Sequence, residues 1–256
     1  MPDDRTLALR QARSQRAVYR AVTANSPTGR TVESAAGVQA SVVPARPTRS
    51  ILNAVFYDDV ERMVGAHAEI AALYAADGVR AWTVWTRPGD DAAPRALAAA
   101  GHRLDGTPML MAAAMTELDL EQRLDLQLAG DDAWAALARC NDAAYGLARA
   151  EGFEAVLPGV SDPAARAYVA LEDGEPVAGA GTLVHEGDCE MVFVATVPAA
   201  QGRGLASDLM RRGLCDARDA GCTTASLEAS SRGEGVYARL GYRPLGRLGL
   251  WELRQE

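Results

Sequence analysis

Val194-Ala195-Thr196-Val197-Pro198-Ala199-Ala200-Gln201-Gly202-Arg203-Gly204-Leu205-Ala206 reads as a strand that stops at a proline, a tight loop, and the opening of a helix. The loop has the form Gln-x-x-Gly-x-Ala. Glycines at 202 and 204 let the backbone turn sharply and come close to a ligand with no Cβ in the way. The helix that follows presents unpaired N–H groups and the positive end of its dipole, a combination that suits a pyrophosphate. Small side chains at Gly204 and Ala206 leave room for phosphates, and Arg203 could add charge at the mouth. Two other phosphate loops are excluded. The Walker form needs a lysine, and the chain has none; the dinucleotide fingerprint needs a third glycine where Ser207 stands, and an acid about twenty residues on. Gly-x-Gly after a strand is also an ordinary helix entry, so the assignment needs a second element.

Working outward, the second half of the chain reads as a strand at 124–128, a helix from Asp131 or Asp132 to Tyr145, and two strands at 167–171 and 177–185 joined by a Gly/Pro turn. A long strand at 190–197 leads into the loop. A helix at 205–220, a strand at 223–229, a short helix at 234–240 and a last strand at 245–253 follow, the helices stopped by Gly221 and Gly241. The first half opens with a helix from an Asp3/Asp4 cap that ends before the turn at Asn25, then strands at 31–35, 38–43 and 50–57. A helix at 59–76, a strand at 79–86, a helix at 91–100 and a strand at 108–115 complete it. The same strand-helix-strand-helix-strand series thus occurs twice, with Gly101-His102-Arg103 before the last strand of one copy and Gly241-Tyr242-Arg243 before that of the other. The expected architecture is α/β: two related units, residues 1–118 and 119–256, each a mixed, mostly antiparallel sheet flanked by helices.

Glu234-Gly235-Val236-Tyr237-Ala238-Arg239-Leu240-Gly241-Tyr242 supplies the second element. Together with the loop it resembles the Gcn-related N-acetyltransferase (GNAT) superfamily, whose loop is Gln/Arg-x-x-Gly-x-Gly/Ala and whose next helix commonly reads Tyr-x-x-x-Gly-Phe/Tyr. The resemblance covers residues 121–256. It reaches 1–118 only through the repeated pattern, because the corresponding helix opens Asp58-Asp59-Val60-Glu61, with acids where phosphates would sit. The first half therefore looks like a degenerate copy without a coenzyme A loop.

The resemblance implies direct transfer of an acetyl group from acetyl-CoA to an amine, on a small molecule or a peptide. By the family pattern, backbone groups of Val194, Ala195 and Thr196 bind the pantetheine arm, and Gln201, Gly202, Arg203, Gly204, Leu205, Ala206 and Ser207 bind the pyrophosphate. Tyr237 matches the tyrosine that gives a proton to the departing sulfur; a phenol can also simply hold the thiolate by a hydrogen bond. Ser230 stands where many relatives place an asparagine on the pantetheine. Glu190, eleven residues before Gln201, matches the offset of the glutamate base in relatives that acetylate protein lysines. It would accept the ammonium proton if burial raised its pKa. Glu228 on the adjoining strand is the second candidate, as an orienting group for the amine. Two other functions share these features: transfer of a longer acyl group, and a non-catalytic acyl-CoA-binding regulator that uses the first half for interaction.

Composition narrows the field. The chain has 256 residues, 48% hydrophobic and 23% charged, as in ordinary globular proteins. Its charge is uneven: residues 1–118 sum to +1 and 119–256 to −9, which disfavours nucleic acid and mildly favours a cationic substrate. All 26 basic residues are arginine, which is read as codon bias. No apolar run or leader is long enough for a membrane span or secretion signal, so a cytoplasmic protein is expected. Cys140, Cys189, Cys215 and Cys222 stand singly, with no histidine at ligand spacing, so no metal site is expected. His67, His102 and His185 look scattered and structural, and the odd spacing of Trp82 and Trp85 sends them to opposite faces of one strand. Three uses are open for the first half: completing an acceptor pocket, capping a sheet edge, or forming a homodimer.

Overall fold

Helices form where the apolar spacing places them. In a computed structural model that describes residues 2–148 and 152–255, α1 spans Asp4–Ala24 and is capped by Asp3, whose carboxylate accepts the Thr6 amide at 2.8 Å. Then come β1 (Arg30–Ala35), β2 (Val38–Val42), β3 (Ala54–Tyr57), α2 (Val60–Ala76), β4 (Ala81–Thr86), α3 (Ala92–Ala99), β5 (Arg103–Gly106) and β6 (Met109–Ala114). The second half comprises α4 (Ala133–Tyr145), β7 (Ala165–Glu172), β8 (Glu175–His185), β9 (Asp188–Thr196), α5 (Leu205–Asp219), β10 (Thr224–Ala229), α6 (Glu234–Arg239), β11 (Arg243–Arg247) and β12 (Gly249–Arg254).

Two expected strands are cut back by side chains that compete for the backbone. Residues 50–53 turn instead of extending: the Asn53 amide donates to the carbonyls of Arg46 (3.0 Å) and Arg49 (3.2 Å), and its Oδ1 accepts the Val43 amide at 2.7 Å. Residues 124–128 keep a single bridge, Leu128 to Ala170, because buried Asp208 takes the Arg123 amide at 2.7 Å and that of Leu124 at 3.3 Å.

The strands form two six-stranded mixed sheets, ordered β1-β2-β3-β4-β12-β5 and β11-β6-β10-β9-β8-β7. Each has one parallel pair, β3 with β4 and β9 with β10, the rest being antiparallel. The final strand of each half lies in the other half's sheet. β6 sits between β10 and β11, and β12 between β4 and β5. The expected strand at 245–253 is thus two strands in different sheets, divided at Leu248. Both exchanged strands are apolar enough for a central position: five of the six β6 residues are buried, and β12 turns Leu250 to one face while Trp251 and Leu253 pack on the other.

α1 spans both sheets. Ala17, Val18, Ala21 and Val22 pack with Val43 and Leu52 from the first half and Leu137, Leu157 and Val169 from the second. Trp82 and Trp85 do face opposite sides of β4, Trp82 towards Tyr74 and Trp85 towards Tyr19 and Phe56. The histidines are less scattered than their spacing suggests: His67 of α2 and His102 meet with Nε2 atoms 3.0 Å apart. His102 Nδ1 lies 3.0 Å from the Trp251 carbonyl, which can only accept, so Nδ1 carries the proton and bare Nε2 accepts from His67. Burial pushes His102 down to about 4, which keeps this pair neutral.

Candidate active site

β9 and β10 pair only at Asp188–Thr224, Cys189–Ala225 and Glu190–Ser226; beyond Glu190 they separate. On its other side β9 bulges against β8, with the register shifting between Gly179 and Gly181 and Phe193 in a left-handed conformation (φ 52°). Asn141 of α4 fixes the bulge by donating to the Phe193 carbonyl at 2.9 Å and to the Leu137 carbonyl at 3.0 Å. The gap between the diverging strands opens into a cleft of about 1550 Å³, lined by Val194, Ala195, Thr196, Glu190, Glu228, Ser230 and Tyr237, and by Gln201 through Ser207. All the residues expected to bind coenzyme or act on it therefore share one cavity.

At one end of the cleft, Gly202 (φ 78°) and Gly204 (φ 81°) take left-handed conformations, and a Cβ on either would meet nothing within 4 Å. Gly204 caps α5 with no side-chain hydrogen bond, so the first-turn amides of Leu205, Ala206 and Ser207 face open space. An anionic group of diphosphate size fits this cradle. Gln201 braces the loop by donating to the Thr196 carbonyl at 3.2 Å. Arg203 is not a bare charge at the mouth: its guanidinium forks onto Glu172 of β7 and holds that carboxyl below the usual range. The equivalent opening in the first half is closed. Asp59 caps α2 by accepting the Arg62 amide at 2.9 Å, while Asp58 lies 3.0 Å from both Arg16 and Arg87.

Where the strands part, a buried polar group forms. Glu190 is fully buried, and its Oε2 lies 2.5 Å from the Ser226 hydroxyl, which is also 2.5 Å from Asp188 Oδ2. Asp188 further accepts from Thr224 (2.7 Å) and from Ser14 of α1 (2.9 Å). A serine hydroxyl has one proton. With Asp188 already used as an acceptor, Ser226 donates to it, and Glu190 must keep a proton of its own. Burial, then the neighbouring charges of Glu228 and Asp188, push Glu190 well above the ordinary glutamate range. Burial also raises Glu228, while its contact with Glu190 and the bond donated by the Gln11 amide of α1 oppose the rise. With Glu190 keeping its proton, at most one of the two carboxyls is ionised, and it is Glu228.

Tyr237 projects from α6 with its ring edge-on to Tyr242, centroids 6.4 Å apart. A Cβ on Gly233 would come within 2.7 Å of that ring, so the glycine is what seats it. Burial pushes the phenol up, and it stays protonated. Cys189 is buried in the core with its thiol pushed up by desolvation, unsuited to attack. Among the described residues no cluster has the makings of a metal site, and no helix is long and apolar enough to cross a membrane.

The other end of the cleft is built by the first half: Gln15, Val18, Tyr19 and Val22 of α1, Arg49, Ile51 and Leu52 of the loop after β2, Trp85 of β4, and Leu250 of exchanged β12. None of these was marked out by sequence motif. The available signal was in α1, where uncharged polar Gln11, Ser14 and Gln15 interrupt the apolar face of Leu7, Val18 and Val22 at helical spacing.

Residues 130–242 match the family model described as Acetyltransferase (GNAT) family, and this part of the chain is a GNAT acetyltransferase domain. Solved structures resemble the whole chain. A GCN5-related N-acetyltransferase from Kribbella flavida matches with a TM-score of 0.71 at 19% identity, covering 97% of this chain and 96% of that one. A functionally unknown conserved protein from Staphylococcus epidermidis matches at 0.63 and 14%, covering 90% and 95%. A tandem GNAT protein from the clavulanic acid biosynthesis pathway matches at 0.57 and 15%, covering 85% and 78%. These likenesses concern the fold, and with the two sheets they make the protein an assembly of two GNAT-like units. No curated protein matches the chain.

Proposed function

We propose that the cleft transfers an acetyl group from acetyl-CoA to a primary amine bound opposite it. The observation that carries this reading is the uncapped opening of α5, where Gly202 and Gly204 leave the backbone bare, joined by one continuous cavity to a pair of buried glutamates. Acetyl-CoA supplies the activated carbonyl and the thiol leaving group. The amides of Gly202 to Ser207 hold its diphosphate, and the unpaired edge of β9 at Val194–Thr196 holds its pantetheine arm, with Ser230 across the gap. Glu228 accepts one proton from the substrate ammonium, and Glu190, which keeps its own, stays neutral beside it. The freed nitrogen then bonds to the acetyl carbon as the carbon–sulfur bond breaks. Tyr237 lends its proton to the leaving sulfur and is restored by the second proton of the nitrogen, so that amine and thioester become amide and thiol.

Gly204→Val tests the cradle. Calorimetric titration with acetyl-CoA should show affinity falling by at least about tenfold, because a branched side chain then stands where the phosphates lie. Gly89→Val is the control, since Gly89 has the same handedness (φ 79°) and equally open surroundings outside the cleft. Unchanged affinity in Gly204→Val would refute the assignment.

A further inference from the structure

Resting on the acetyl transfer proposed above, the geometry points to the acceptor's chemical class: a monoamine, one primary ammonium on an apolar frame, seated between α1 and the two sheets. The wall at that end is Val18, Tyr19, Ile51, Trp85 and Leu250. It is rigid, since Tyr19, Phe56 and Trp85 form a ring cluster with centroids 4.7 to 6.5 Å apart. Such a wall rewards hydrocarbon and leaves a second charge unsolvated.

The charge complement is equally narrow. Among the described residues the ionisable carboxyls at this end are Glu190 and Glu228, and the shared Ser226 hydroxyl requires Glu190 to keep its proton. At most one negative charge remains, enough for one ammonium. A second ammonium would find Arg49 instead, whose guanidinium lies 5.8 Å from the Phe153 ring centre. A polyamine or an arginine- and lysine-rich peptide is therefore a poor fit, although the acidic second half of the chain suggests cations in general. Among the donors left over for the ligand is the side-chain amide nitrogen of Gln15, a residue only 5% exposed, which lines the cleft one helical turn from Gln11 and has no protein partner.

The test is thiol release by the full-length protein with ethylamine, butylamine, phenethylamine, putrescine and spermidine, alongside calorimetry with acetyl-CoA alone. The expected result is that kcat/KM rises about fourfold per added methylene among monoamines. Butylamine should exceed putrescine, which differs by its second ammonium, by at least about tenfold. Ile51→Glu should shrink that ratio by about tenfold by placing an acid on the apolar wall, with acetyl-CoA affinity unchanged. If putrescine or spermidine is the best acceptor, or if Ile51→Glu leaves the ratio alone, the acceptor class is wrong and the acetyl transfer stands; if acetyl-CoA binds and no amine reacts, both fall. If acetyl-CoA does not bind, the acetyl transfer itself falls, and this inference with it.

Discussion

Glu190 shows what a single side chain owes to its neighbours. Alone at the start of a strand it would be an ordinary solvated acid; here burial, then the charges of Glu228 and Asp188 beside it, keep it neutral. Its native pKa lies above the value of 4.5 that it has in the unfolded chain. The folded protein therefore binds more protons than the unfolded one between those two values. The stabilisation is complete below the lower value and is lost as pH rises through the upper one. Glu190→Gln removes the titration, so the melting temperature of the variant minus that of the wild type should climb as pH rises above the ordinary glutamate range. Thermal melts over that rise in pH check it; a flat difference would mean that Glu190 is ionised. Part of this site was legible in the sequence. Gly202, Gly204 and Tyr237 act through local backbone geometry, which a motif of a few residues encodes. Gln11 was not legible, because it reaches Glu190 from 179 positions away and no local pattern records that meeting.

β9 does two jobs that its sequence does not separate. Over its first three residues it pairs with β10, and beyond them it bulges and leaves its neighbour, which is what opens the cleft. The run Met191 to Val197 is almost uniformly apolar, so the shift in register leaves no mark on its periodicity. The mark is instead on α4, where Asn141 is buried and donates both its bonds to carbonyls, one of them at the bulge. Asn141→Leu keeps the size of the side chain but strands the Phe193 carbonyl. The expected cost is about 1–3 kcal/mol in urea denaturation, with a weaker calorimetric affinity for acetyl-CoA as the bulge relaxes. Helices, by contrast, were readable almost to the residue, because 3.6-residue spacing and Asp caps such as Asp3 and Asp59 are local properties.

At the scale of the molecule, the duplicated pattern was visible and the exchange of final strands was not. Leu248 alone separates β11 from β12, and a single buried leucine carries no turn signal that would send its two flanks to different sheets. The exchange crosses the 118/119 boundary that the repeat suggests. Residues 119–256 expressed alone lack β6, the strand between β10 and β11, and should give no cooperative thermal transition, whereas the full chain should unfold in one. A sharp melt from the isolated half would show that its sheet closes without the missing strand.

The position of β12 also sets a schedule. A nascent chain leaves the ribosome N-terminus first, so β4 and β5 are translated early yet must wait for Gly249–Arg254, made after β7 to β11, before the strand between them arrives. The first sheet therefore finishes folding only after β11 has been synthesised, and a chain stalled before Gly249 exposes two unfilled strand edges to whatever chaperone or protease is nearest.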